Sequence, residues 1–333
     1  MKLSILTISL FSSLALFTTS AMANSENQKN TPLPSPGDDT NFLELSTGEN
    51  LSKLRVRGRG LSLTRGGGGS FSKKREASFS KLYDEGKNTA KAPYQWVVMN
   101  LDTGKILDQS KSADMKMFGA SVSKIFVGAT YVHTQSGDVD KQHLQRLANM
   151  LVVSSNPAWL QLQKDIGNGN ANEGRKTIHE FTQSMGYERT RGFQNYLKTE
   201  SNEEIHGNEL TAKELAAFLY DTYWQKYDGA EVMWKLMHTL RTGGSKANKY
   251  LPSNLYLGGK TGTYSGSTVD PETGAEHFPN GKKYSVQVRH QVVVFNYEGT
   301  QYALALLTNK ASNEHVALLA AGLFNKIIKK EHI

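Results

Sequence analysis

The chain contains no cysteine in its 333 residues. Disulfide staples, a thiolate nucleophile and a lipid-modified N-terminal cysteine are therefore excluded. The histidines, His206 and His290 among them, show no paired ligand spacing and no zinc motif occurs, so a metal-dependent mechanism is disfavoured and no cofactor is expected. No internal repeat is apparent. The apolar run from Leu3 to Phe17 is too short for a membrane span and is interrupted by Ser12 and Ser13. With Lys2 before it and Ala21-Met22-Ala23 after it, the run reads as a secretory signal over 1–23. Asn24 is then the expected mature N-terminus of an exported, soluble protein, periplasmic or extracellular.

What is present is enough hydrophobic sequence, 38% of residues, for one large domain or two lobes. Net charge is +8, and loss of Lys2 with the signal leaves +7 (8 minus 1). That balance favours contact with anionic envelope surfaces. Residues 24–91 carry Pro32, Pro34 and Pro36, then Lys53, Arg55, Arg57, Arg59 and Arg65, a run of glycines at 66–69, and Lys73, Lys74 and Arg75. This composition reads as a flexible basic leader or linker. Phe71 and Phe79 are too thin an aromatic complement for a nucleic-acid arm, so no nucleic-acid partner is expected.

Order is expected from residue 92 onward. Tyr94 to Asn100 and Lys105 to Asp108, joined by Asp102-Thr103-Gly104, form a hairpin. Helical spacing follows over Lys141–Val152 and through much of the stretch from Trp159 to Leu240, with an irregular polar segment from Arg189 to Asn208. Strands return at Leu255 to Thr263, Gln291 to Tyr297 and Gln301 to Leu307, the last two around Glu298-Gly299. A polar insertion reaches about Tyr284, and a helix from Glu314 to Lys329 closes the chain. The expected fold class is α/β (α+β), an antiparallel sheet flanked by helices with a second, all-helical lobe.

Ser121-Val122-Ser123-Lys124 leads into the apolar run Ile125-Phe126-Val127. Three residues of helical spacing put the hydroxyl and the amine on one face. Ser70 with Lys73 and Ser78 with Lys81 repeat the spacing, but neither pair opens an apolar helix. Burial beside apolar residues disfavours the ammonium form, which lets Lys124 take a proton from Ser121. Further along, Ser154-Ser155-Asn156 supplies a hydroxyl and an amide. Lys260-Thr261-Gly262-Thr263 then supplies a cation, two hydroxyls and a glycine on an expected edge strand, where an extended ligand can pair with the backbone.

Serine-x-x-lysine, serine-x-asparagine and lysine-threonine-glycine in that order resemble the penicillin-binding protein and serine β-lactamase superfamily, and most closely its class A branch. The resemblance spans residues 94–330 and implies a β-lactamase/transpeptidase-like fold. It implies Ser121 as acylated nucleophile, Lys124 as its base and Ser154 as proton carrier to the leaving amine. Asn156 would hold the substrate amide, Lys260, Thr261 and Thr263 its carboxylate, and Gly262 would allow close approach. The backbone N–H groups of Ser121 and Thr263 would form the oxyanion hole. The implied partner is a β-lactam or a peptidoglycan stem peptide; nothing in the sequence sets an oligomeric state.

The sequence departs from the class A pattern in two places. The stretch from Ser121 to Ser154 is short, so the helical lobe is expected to be trimmed. The Glu-x-x-Leu-Asn pattern whose glutamate drives deacylation is also missing. Glu204, four residues before Asn208, is the nearest candidate, with Gly207 in the leucine position; Glu200 and Glu203 are alternatives. The readings are therefore a class A-like β-lactamase, a D-alanyl-D-alanine peptidase, or a catalytically silent envelope-binding protein of the same fold.

Overall fold

The computed structural model describes residues 31–37, 41–266 and 286–333; the expected signal segment and most of the polar insertion lie outside them. Five strands make the central antiparallel sheet: β3 (Tyr94–Asn100), β4 (Ile106–Gln109), β9 (Gly258–Gly266), β10 (Val286–Tyr297) and β11 (Thr300–Thr308). Their order is β4-β3-β11-β10-β9, which leaves β9 at an edge. Eight α-helices accompany the sheet among the described residues. No helix among those residues is long and apolar enough to cross a membrane.

Both faces of the sheet are covered, which is why its central strands read as continuous apolar runs. Trp96 and Val98 of β3, with Val293 and Phe295 of β10, pack with α8 (Asn313–Leu323) and α1 (Lys73–Asn88). Val97 and Met99, with Val292 and Val294, face the other way and join the core of the helical lobe. That lobe contains α2 (Lys124–Thr134), α3 (Lys141–Val152), α4 (Asn156–Ile166), α5 (Ala171–Ser184), α6 (Ala212–Tyr223) and α7 (Ala230–Met237). Apart from its C-terminal end, α2 is buried on every side and, but for Lys124 and Thr130, is built of apolar residues, glycine and Tyr131, as befits the central helix of a lobe. Chain reversal between β10 and β11 uses Glu298 (φ 50°) and Gly299 (φ 83°), the left-handed pair that a two-residue hairpin turn demands.

The expected flexible leader is corrected over its described part. Phe42, Leu43, Leu45, Leu51, Leu54, Val56 and Leu61 are buried in the same core as the helical lobe. Two short paired strands, β1 (Arg55–Val56) and β2 (Arg59–Gly60), lie within this segment, and α1 follows it. Single apolar residues set between charged ones have no helical or strand period, so their burial is decided by distant partners. Lys235, for example, is buried against Phe42 and bonds both the Glu44 carbonyl oxygen and the Glu231 carboxylate. Leu51→Ala is expected to lower unfolding stability by about 2–5 kcal/mol in urea denaturation. A loose leader predicts no change.

The irregular segment before α6 also has internal order. It holds β6 (Tyr196–Lys198) paired with β7 (Glu204–His206), then β8 (Glu209–Leu210), which pairs with β5 (Met117–Phe118) just ahead of Ser121.

Candidate active site

Ser121 sits in a 3-10 turn, Ala120–Ser123, that runs directly into α2. Ala120 has φ 47°, a left-handed conformation that costs a non-glycine residue about 1–3 kcal/mol and persists only when neighbours impose it. Those neighbours are identifiable. The Gly119 N–H donates to the Asn208 carbonyl at 2.8 Å, and the Ser123 hydroxyl donates to the Asn208 side chain. Behind the turn, the Thr308 N–H donates to His290 Nδ1 at 2.9 Å, which leaves His290 Nε2–H to donate to the Phe118 carbonyl at 2.8 Å. A Cβ on Gly262 would stand 3.0 Å from the Gly119 carbonyl oxygen and 3.1 Å from Val122, so the bare glycine is what lets β9 press against the turn.

Lys124 begins α2 and is fully buried. Its Nζ lies 3.0 Å from Ser121 Oγ, 2.9 Å from the Ser154 carbonyl oxygen, 3.3 Å from Ser154 Oγ and 2.6 Å from Asn156 Oδ1. The Trp159 ring centroid is 4.9 Å away and favours the charged amine, but burial prevails and lowers the Lys124 pKa to about 7. Ser154 holds φ 63°, fixed by the Lys124 bond to its carbonyl, by Ser155 N–H to the Asn149 carbonyl, and by the Ser155 side chain capping α4. On its far side, Ser154 Oγ meets Lys260 Nζ at 3.0 Å. An unbroken hydrogen-bonded path thus runs Ser121, Lys124, Ser154, Lys260.

Lys260 is wholly buried and also donates to the Thr261 carbonyl oxygen at 2.9 Å. Burial pushes its pKa well down, and the Lys124 and Lys246 charges push in the same direction. Thr261 Oγ1 is 2.5 Å from Thr242 Oγ1, and Thr263 is exposed on the edge strand. Asn156 is exposed at the N-terminal end of α4.

Lys246 was not among the residues the motifs single out. It is buried, and its Nζ bonds the Gly262 carbonyl oxygen at 2.7 Å and Thr263 Oγ1 at 2.6 Å, gripping β9 from behind. Burial and the Arg289 charge lower its pKa to about 7. No sequence signal separates Lys246 from Lys249, whose side chain instead pairs with Glu314 at 2.6 Å.

The acidic candidates do not join this group. Glu204 is exposed on β7 opposite Lys198 and makes no hydrogen bond or ion pair with Ser121, Lys124, Ser154 or Lys260 among the described residues. Glu200 is exposed and faces Lys176 at 3.8 Å, and Glu203 is exposed. Asn208, suggested by its spacing as a partner of Glu204, instead holds the nucleophile turn. Glu209 is buried but committed to Lys116 at 2.7 Å. The other serine-lysine pairs, at 70/73 and 78/81, flank or lie on α1 with both lysines exposed. Among the described residues no group of acidic and histidine side chains could hold a metal ion.

Comparison with solved structures gives the same architecture. The L2 protein in complex with relebactam superposes with a TM-score of 0.55 at 13% identity, covering 75% of this chain and 98% of that one. An ancestral class A β-lactamase gives 0.53 at 15%, covering 76% and 99%, and the TLA-3 extended-spectrum β-lactamase gives 0.55 at 13%, covering 76% and 98%. At this identity the likeness establishes the fold. A search of curated proteins returns no sequence match. The family model for the beta-lactamase enzyme family matches residues 142–330, from α3 to the C-terminal turn, and includes Ser154, Asn156, Lys246 and Lys260 while starting after Ser121. With more than half of the sequence covered by that match and the whole sheet-and-lobe architecture shared with class A structures, the chain belongs to the beta-lactamase enzyme family.

Proposed function

We propose that the protein is a serine hydrolase that opens the amide bond of β-lactams through an acyl-enzyme at Ser121. The observation that carries this reading is the buried Lys124 amine, 3.0 Å from Ser121 Oγ and with a pKa lowered to about 7. In its neutral form Lys124 takes the Ser121 proton as Oγ attacks the amide carbonyl. The C–N bond of the tetrahedral intermediate then breaks, and the Ser154 hydroxyl passes a proton to the leaving nitrogen, replaced from Lys124 along their hydrogen bond. Lys260 and Lys246 place two amines on the β9 side of the site, where a bound substrate carboxylate would favour their protonated forms, with Thr261 and Thr263 as hydroxyl contacts and Asn156 at the opposite rim. Water completes the cycle by cleaving the Ser121 ester. The segment 1–23 would direct export and then be removed, leaving the enzyme outside the cytoplasmic membrane.

One observation favours slow completion. No carboxylate touches Ser121, Lys124 or Ser154 among the described residues, so no acidic base stands ready to activate that water. A long-lived acyl-enzyme is the behaviour of a penicillin-binding D-alanyl-D-alanine peptidase, which is the second reading. Chromogenic cephalosporin turnover and fluorescent-penicillin release separate the two, run on wild type and Glu204→Gln together. Fast turnover makes the protein a β-lactamase and persistent label makes it a peptidase. In either case Glu204→Gln is expected to match wild type within about twofold, whereas a loss of 10²-fold or more in label release would make Glu204 the deacylating base after all. A wild type that neither turns over nor labels would leave only a silent binding protein.

A further inference from the structure

The glycine run at 66–69 is unused by the chemistry above, and each of its members meets the loop that carries Lys246. Gly66 N–H donates to the Leu255 carbonyl at 3.0 Å, Gly67 to Asn248 at 2.6 Å, Gly68 to Leu251 at 2.9 Å and Gly69 to Lys249 at 3.0 Å. A Cβ would stand 2.0 Å from the Pro252 oxygen at Gly66 and 2.7 Å from the Lys249 oxygen at Gly67 and at Gly69, while Gly68 takes φ 63°. Only consecutive glycines let one backbone lie this close along another. On its inner side the same loop is held by Gln291, whose Nε2 donates to Asn248 Oδ1 at 2.6 Å and whose Oε1 accepts from Ala247 N–H at 3.0 Å. The 3-10 turn Ala247–Tyr250 is thus clamped between the sheet and the glycine strap, and Lys246 is the residue at its N-cap. Lys246 in turn grips β9 at Gly262 and Thr263. The strap lies upstream of the family match, so it is a part of this chain beyond the matched region.

We propose that the glycine strap at 66–69 is a positioning element for Lys246: it sets the height of the 246–250 turn and thereby the place of the buried amine behind β9, and with it the enzyme's hold on an anionic substrate. This rests on the serine acyl-enzyme reading. Substrate affinity should depend on the strap, while the Ser121–Lys124 proton transfer, made within the 3-10 turn and the start of α2, should not.

The test measures fluorescent-penicillin acylation against label concentration for wild type, Gly67→Ala, Lys246→Ala and the double variant, with melting temperatures alongside. Gly67→Ala is expected to raise the half-saturating concentration about tenfold, the effect of losing one charge-assisted contact, with the limiting acylation rate within twofold of wild type. In the Lys246→Ala background the glycine change should add nothing, because its target is already gone. Additive effects of Gly67→Ala and Lys246→Ala would overturn the proposal, as would a fall in limiting rate with unchanged half-saturation. If Gly67→Ala does not fold, Gly69→Ala takes its place; failure of both to fold would also overturn it, since it would make the strap a folding requirement. A wild type that takes up no label would instead sink the serine reading, a separately recognisable result.

Discussion

Lys124→Ala lowers the acylation rate by about 10²–10⁴-fold while leaving the fold in place. The size follows from what the amine does: with it gone, Ser121 keeps a hydroxyl of ordinary acidity and has no base within hydrogen-bonding distance among the described residues, since the other contacts of the path pass through Lys124 itself. The pH dependence carries the same information. Burial lowers the Lys124 pKa to about 7, and the proton-accepting form is the neutral one. The wild-type acylation rate should therefore rise about tenfold per pH unit below 7 and level off above it. An unshifted lysine would keep that rise going toward pH 10.

The same shift has a stability consequence of fixed sign. The folded pKa, about 7, lies below the ordinary value of 10.5, so between these limits the unfolded chain binds more protons than the folded one. Stability from this group rises with pH across that window and is lowest below pH 7, where the buried ammonium is charged without a carboxylate partner among the described residues. Lys260 and Lys246 shift in the same direction. Three buried amines with no acidic partner among the described residues are a standing cost that a merely structural core has no reason to carry.

How far the sequence revealed this arrangement depended on how local each signal was. Ser121 and Lys124 were legible because one helical turn fixes their relation, Ser154 and Asn156 because they stand at a helix junction marked by turn residues, and Lys260 because it lies in a strand whose apolar and glycine pattern is local. The hairpins around Gly104 and Glu298-Gly299 were legible for the same reason. The hold of Asn208 on the nucleophile turn was not legible because it depends on β8 pairing with β5, a contact across more than eighty residues that no spacing rule encodes. Lys246 was missed because its burial is imposed by Gln291 and by the glycine strap, each remote in sequence. The N-terminal segment looked loose because its leucines fit no period, although they are buried in one core with the helical lobe.

Whether an acyl group forms on Ser121 at all is the question on which the rest depends, and Ser121→Ala addresses it with the largest effect of any single change. Removing Oγ deletes the attacking atom, while the turn keeps its bonds through Gly119, Ser123 and Asn208, so the variant should fold normally. The decisive measurement is intact-protein mass spectrometry after incubation with a penicillin. The wild type should gain the full mass of one penicillin, mapped to the peptide containing Ser121, and Ser121→Ala should gain none. An adduct of equal yield in Ser121→Ala, or a wild type that labels on another residue, would contradict the assignment of Ser121 as the nucleophile.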